Sequence, residues 1–203
     1  RILYCTVGMP ASGKSSLLER LDVNQYTVSS DAIRQLVTGY DYNYVPDEDN
    51  QWGTTGAVEQ TLSGKNDHQV WDLLYEIVEQ RMKQGETVFI DSTMLFKHAF
   101  SKINKLRQKY HYRVHLIDLR HQSTGVTFDE ITSRNSRVSR SLNGKEVPEK
   151  VLRDYWKREE KVTLPKTLNP LAKTDEYSID YQVKNSLAWR TTQPKRGSRT
   201  IVI

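Results

Sequence analysis

Between the apolar run Ile2-Leu3-Tyr4-Cys5-Thr6-Val7 and the segment Ser16-Leu17-Leu18-Glu19-Arg20-Leu21 lies Gly8-Met9-Pro10-Ala11-Ser12-Gly13-Lys14-Ser15. A β-rich run, a glycine-containing loop ending in Lys-Ser and a helical run, in that order, constrain the fold more than any other feature of the chain. The glycines let the backbone curl until its N–H groups point inward, and the following helix offers its positive N-terminal end to an anion. The spacing GxxxxGK[ST] therefore reads as a phosphate-binding loop formed by Gly8, Met9, Pro10, Ala11, Ser12, Gly13, Lys14, Ser15 and Ser16. With ATP in the loop, Lys14 would reach the β- and γ-phosphates and the Ser15 hydroxyl would sit on Mg2+. A Gly/Ser turn without a ligand is the alternative, and the strand-loop-helix context argues against it.

Strand and helix signals alternate along the rest of the chain. Tyr26-Thr27-Val28-Ser29 reads as a short strand, and Asp31 to Val37 as a helix capped by Ser30 or Asp31. Gly39 to Lys65 is rich in Tyr, Asp, Asn, Gly and Thr and reads as a long loop or insertion, whose tyrosines and Trp52 could stack bases or pin the loop. Val70, Leu73, Leu74, Ile77, Val78 and Met82 fall at helical spacing, and Gly85 ends that run. A strand Thr87 to Asp91, a helix of roughly His98 to Tyr110 and a strand Arg113 to Asp118 follow. Phe128 to Arg140 reads as a basic helix, Pro148 starts a helix Glu149 to Lys161, and Tyr177 to Tyr181 reads as a fifth strand. The expected fold class is α/β, with a central, mostly parallel sheet flanked by helices and a basic helical lid. Its divisions are 1–165 for the core with lid, 166–190 for the last strand and a packing segment, and 191–203 for a linker and the first strand of a further domain.

Composition narrows the setting. The 203 residues suit one α/β domain plus a tail. A net charge of +5, from 30 basic and 25 acidic residues, favours polyanionic partners only mildly. Cys5 is the single cysteine, so no intrachain disulfide forms, which suits a reducing, cytoplasmic setting. No apolar run of membrane-spanning length is present, so no membrane partner is expected. Arg1 rather than methionine stands directly against the first strand, and the sequence is expected to be an excerpt from a longer polypeptide. A homo-oligomer is compatible with all of this.

The kind of phosphate-loop protein follows from what accompanies the loop. Asn104-Lys105-Leu106-Arg107 lacks the aspartate a guanine-reading motif requires, and Leu62-Ser63-Gly64-Lys65 misses a transporter-type signature by one residue. What remains is a small kinase, in which an acceptor hydroxyl lies in line with the γ-phosphate. Asp31, just past the second strand at the C-terminal sheet edge, is the first choice of base. Arg34 lies three residues on, on the same helical face, placed to hold an acceptor phosphate. The alternative makes Ser30 or Asp31 only a cap and Arg34 a surface residue. Asp91 ends a strand where a carboxylate could bind Mg2+ through water, unless it is a solvent-facing strand-end acid. Arg134 and Arg137 share a helix face and read as a lid over the ATP phosphates, with a solvated basic face as the alternative. Asp118 also ends a strand and reads as structural. The rivals to a nucleic-acid kinase are a kinase for a small molecule or nucleoside and a nucleotide-gated binding module.

Taken together, the loop, Ser29-Ser30-Asp31-Ala32-Ile33-Arg34, Ile90-Asp91-Ser92-Thr93, and Arg134-Asn135-Ser136-Arg137 with Val147-Pro148-Glu149-Lys150-Val151-Leu152 resemble polynucleotide 5′-hydroxyl kinases of the bacterial and bacteriophage end-healing type. The likeness covers about the first 165 residues. It implies an ATP- and Mg2+-dependent kinase acting on single-stranded or nicked RNA or DNA 5′ ends in end repair. Asp31 would be its general base, Arg34 the holder of the acceptor's 3′-phosphate, Arg134 a lid residue, and Lys14 and Ser15 the phosphate lysine and Mg2+-side hydroxyl. It also implies a downstream phosphatase domain, of which Thr200 to Ile203 would be the truncated start. The chain departs from the pattern at three places. Ala11 replaces a loop glycine, which requires a negative φ; Met94 replaces an asparagine; and Val138 stands where a second lid arginine is expected, with Arg137 and Arg140 as candidates for its place.

Overall fold

The computed structural model describes residues 1–46, 56–62, 65, 67–139 and 147–172. In chain order the elements are β1 (Ile2–Val7), α1 (Lys14–Arg20), β2 (Thr27–Ser29), α2 (Ser30–Val37), β3 (Tyr40–Pro46), β4 (Gly56–Leu62) and α3 (Asp67–Lys83). They continue with β5 (Val88–Asp91), α4 (Lys97–Tyr110), β6 (Arg113–Asp118), α5 (His121–Thr124), α6 (Phe128–Ser139), α7 (Glu149–Lys161) and β7 (Pro170–Ala172). Among the described residues, five strands form one parallel sheet in the order β2-β5-β1-β6-β7. Among the described residues, no helix is long and apolar enough to cross a membrane.

The near-continuous apolar character of β1 and β5 places them centrally, because a parallel strand covered on both faces buries every side chain. Alternation divides β1 between two cores. Leu3, Cys5 and Val7 join the larger one, with Val70, Leu74, Val78 and Met82 of α3, Ile103 of α4 and Leu152 of α7. Tyr4 joins Leu17 and Leu18 of α1, Phe89 and Ile117 on the other face, and its ring stacks on Phe89 at 4.6 Å. The helical stripe of α3 is as spaced in the sequence, except that Leu73 is exposed. Gly85, at φ +76, lets its N–H turn back to the Met82 carbonyl and stop the helix.

The registers Ser29↔Asp91 and Val7↔Asp118 align the C-terminal ends of four strands on one edge, where open α/β sheets bind ligands. Two sequence expectations need correction. The stretch from Gly39 to Lys65 is not only loop: β3 and β4 pair antiparallel as a separate two-stranded sheet, from Tyr40↔Leu62 to Pro46↔Gly56. Its period-two signal lies in Tyr40-Asp41-Tyr42-Asn43-Tyr44-Val45, an alternation of aromatic and polar residues that a search for aliphatic runs passes over. Among the described residues β6 also pairs with β7, three residues long and so too short to show a period in the sequence. The segment expected to form a fifth strand, Tyr177 to Tyr181, lies outside the described residues, as do Trp52, Arg140 and the 191–203 segment. Finally, Pro148 occupies the N-cap of α7 rather than its first helical position, its carbonyl accepting from the Val151 and Leu152 N–H groups.

Candidate active site

The loop leaves β1 at Gly8, and this glycine is a steric requirement. A Cβ there would lie 2.7 Å from Ser12 Oγ and 3.0 Å from the Leu119 carbonyl oxygen. The loop then passes through two left-handed residues, Ala11 (φ +61) and Gly13 (φ +94). The Ala11 value overturns the expectation of a negative φ. A loop curling inward needs a left-handed residue at this point, and the chain fills the position with a residue that pays about 1–2 kcal/mol to sit there. Met94, also left-handed at φ +49, is wholly buried in the core, so apolar packing replaces whatever an asparagine amide would offer.

The loop's backbone donors divide into two groups. Gly8 N–H donates to the Thr93 carbonyl, Met9 N–H to Glu159 Oε1, and Ser12 N–H to the Met9 carbonyl. Among the described residues, the N–H groups of Ala11, Gly13, Lys14, Ser15 and Ser16 donate to no protein acceptor. Successive amides at a helix N-terminus without internal acceptors are the donor set that nucleotide phosphates satisfy. The loop thus fits the phosphates of a nucleotide by its own chemistry.

Lys14 opens α1 with its ammonium turned back over the loop, donating to the Met9 carbonyl at 2.7 Å. Burial pulls its pKa below the ordinary value, and the negative charges of Asp91, Asp31 and Glu159 oppose that shift. Carboxylates on β5, α2 and α7 thus all act on the charge of one loop lysine. Ser15 Oγ donates to Asp91 Oδ2 at 2.7 Å, so the half-buried Asp91 is engaged by the loop. A hydroxyl and a carboxylate side by side suit Mg2+, which takes hard oxygen ligands and keeps several waters and phosphate oxygens.

Neither Ser30 nor Asp31 caps α2, contrary to expectation. The N-cap is Ser29, whose Oγ accepts the Ala32 N–H at 3.4 Å, and the Ser30 hydroxyl donates to the Asp91 carbonyl at 3.4 Å. The helix begins one residue earlier because Ser29 still has extended geometry, as an N-cap requires. Asp31 stands exposed in the first turn of α2, within electrostatic reach of Lys14. Arg34, one turn further on, is ion-paired with Asp67 at the start of α3, and Asp67 also accepts from Trp71 Nε1 at 3.2 Å. The guanidinium is thus oriented by a neighbouring helix rather than hanging in solvent.

The arginines of α6 are not gathered into this cluster. Arg137 is exposed and Arg134 half-exposed, and among the described residues no hydrogen bond or ion pair joins either to the loop. Between them, Asn135 is buried and bridges both ways to Val147, with Nδ2 donating to its carbonyl at 2.8 Å and Oδ1 accepting its N–H at 3.0 Å. The Asn of the Arg-Asn pair therefore ties α6 to the residue before Pro148 at the start of α7. Asp118, at the end of β6, holds Arg120 through both carboxylate oxygens and accepts from Ser123 Oγ.

Sequence reasoning missed Glu159 and His121. Glu159 is fully buried, with Oε2 accepting the His121 N–H at 2.9 Å and lying 2.7 Å from His121 Nδ1. In the sequence it is one acid in the charged run Lys157-Arg158-Glu159-Glu160-Lys161, and nothing local separates it from its solvated neighbours.

A parallel α/β sheet with a lysine-bearing phosphate loop at its C-terminal edge defines a nucleotide-binding domain of the P-loop kinase type. Residues 3–161 match the family model described as AAA domain, and the chain belongs to that family. Solved structures that share the fold include these three. One is a chain of the Pnkp1/Rnl/Hen1 RNA repair complex (TM-score 0.57, 16% identity, covering 84% of this chain and 48% of that one). The second is a candidate kinase from Chloroflexus aurantiacus (0.59, 15%, 91% and 97%). The third is Chaetomium thermophilum Kti12 in complex with ADP-AlF3 (0.57, 15%, 95% and 100%). The chain spans about half the length of the RNA repair chain it resembles. No curated protein matches the sequence.

Proposed function

We propose that this domain transfers the γ-phosphate of ATP to the 5′-hydroxyl end of an RNA or DNA strand. The observation that carries the reading is the position of Asp31, a carboxylate at the sheet edge, not used as a helix cap, close enough to the loop lysine to act on its charge. In the reaction the acceptor oxygen forms a bond to the γ-phosphorus as the bond to the β-phosphate oxygen breaks and ADP leaves. Asp31 takes the hydroxyl proton, and Lys14 and the loop amides stabilise the charge on the transferring group. Ser15 and Asp91 would hold Mg2+, which neutralises phosphate charge when bound. Arg134 and Arg137 would approach from α6 once nucleotide is in place, as lid residues that neutralise developing charge.

Arg34 would hold the acceptor's 3′-phosphate, one helical turn from the base. Arg34 is ion-paired with Asp67 at the start of α3. The same ion pair favours a second reading, a kinase for a nucleoside or other small acceptor, because it supplies Arg34 with an anion without any strand. Labelled ATP with 5′-hydroxyl oligonucleotides and with free nucleosides separates the two. Selective labelling of strands supports the proposal; labelling of nucleosides alone supports the second reading, and no transfer to either refutes both in favour of a nucleotide-gated binding module. Asp31→Ala should cut transfer by roughly 10²–10⁴-fold with ATP affinity nearly unchanged. Transfer at the parent rate would remove Asp31 from the base position.

A further inference from the structure

The Met9 peptide is held at both ends. Its N–H donates to the buried Glu159 at 2.5 Å, and its carbonyl accepts from Lys14 Nζ at 2.7 Å and from the Ser12 N–H at 3.3 Å. One loop residue therefore connects a carboxylate on α7 to the phosphate lysine, 145 positions away in sequence (159 less 14). A buried carboxylate is costly unless donors match its oxygens, and here three contacts do so: the Met9 N–H, the His121 N–H and His121 Nδ1. Joining α7 to the sheet does not require that expense, since Leu152 on the same helix joins the core by apolar contact.

The network continues into α6. Trp156, three residues before Glu159, stacks on His121 at 3.8 Å with the planes 9° apart, and Phe128 at the start of α6 meets Trp156 edge-on at 5.5 Å. The helix bearing Arg134 and Arg137 is thereby packed, through Phe128, Trp156, His121 and Glu159, onto Met9.

We propose that Glu159 is a positioning residue for nucleotide binding: from the helix after the arginine-bearing α6 it fixes the Met9 peptide, and through it sets Lys14 and the amide cradle for the β-phosphate. The proposal rests on the nucleotide-binding role of the loop and not on the identity of the acceptor. A failure to phosphorylate strands therefore leaves it standing, and its own failure leaves the acceptor reading untouched.

The test compares ADP with AMP, which lacks the β-phosphate, by calorimetric titration of the full chain and of Glu159→Ala and Glu159→Gln, with thermal melting in parallel. Glu159→Ala should weaken ADP binding about tenfold and change AMP binding by less than about twofold, since a hydrogen bond to a charged group is lost at the β-phosphate side. Glu159→Gln keeps an oxygen for Met9 but sets an amide donor against the His121 N–H, so its ADP affinity should fall about threefold. Equal losses for ADP and AMP, or a lower melting temperature with the ADP-to-AMP ratio unmoved, would reduce Glu159 to a packing role and overturn the proposal. If Glu159→Ala does not fold, Glu159→Gln decides: parent-like ADP affinity overturns the proposal, and a selective loss supports it.

Discussion

Gly13→Ala isolates backbone conformation from packing. A Cβ at Gly13 would meet nothing within 4 Å, so sterics with neighbours contribute no cost. What remains is φ +94, beyond the usual left-handed well for residues with a side chain, which places the penalty toward the upper end of about 1–2 kcal/mol. Alanine also restricts the unfolded chain, which returns about 0.4–1 kcal/mol. The net is a destabilisation of about 1 kcal/mol, or a fall in Tm of about 2–4 °C for a chain of this size. Ala11→Gly reverses the sign at φ +61, with a smaller rise in Tm because the Ala11 methyl packs partly on the core. Gly8→Ala should cost more than Gly13→Ala, since its Cβ lies 3.0 Å from the Leu119 carbonyl oxygen, which is backbone and cannot swing aside. The assay is thermal melting of nucleotide-free protein by calorimetry or circular dichroism. An unchanged or higher Tm for Gly13→Ala, or a lower one for Ala11→Gly, would refute the assignment of strain to these two loop residues.

Other perturbations read other parts of the site. Burial lowers the Lys14 pKa, so between its folded value and the ordinary 10.5 the unfolded chain binds more protons, and stability from this group rises with pH. The stability difference between Lys14→Met and the parent should drift steadily in the parent's favour as pH approaches 10.5 in chemical denaturation; drift toward the variant would contradict the burial argument. Arg34→Ala should raise KM for acceptors carrying a 3′-phosphate at least several-fold more than for a bare nucleoside, and equal effects in steady-state kinetics would take Arg34 out of the acceptor site. Cys5 is fully buried and its thiol pKa is pushed far up by that burial, so alkylation at pH 8, read by mass spectrometry, should occur only on unfolding.

What the amino-acid sequence determined alone is what short-range pattern encodes. The loop spacing, the apolar strands on either side of it and the helical stripe of α3 each lie within one element, so order along the chain is enough to place the phosphate loop, Lys14 and Ser15, and the alternation is enough for a parallel sheet. The placement of Asp91 at the end of its strand and of Asp31 just past the end of β2 was legible for the same reason, because strand ends in such a sheet share one edge. Tertiary structure decided the rest. The bond from Met9 to Glu159 spans 150 residues, and no periodicity reaches that far. Asp67, which engages Arg34, lies 33 residues away across the β3–β4 hairpin. The left-handed φ of Ala11 depends on how tightly the loop must curl, which a side-chain preference does not record. Residue types fix which groups can bind phosphate or take a proton; packing fixes which of them meet, because burial and hydrogen bonding act on distance in space rather than along the chain.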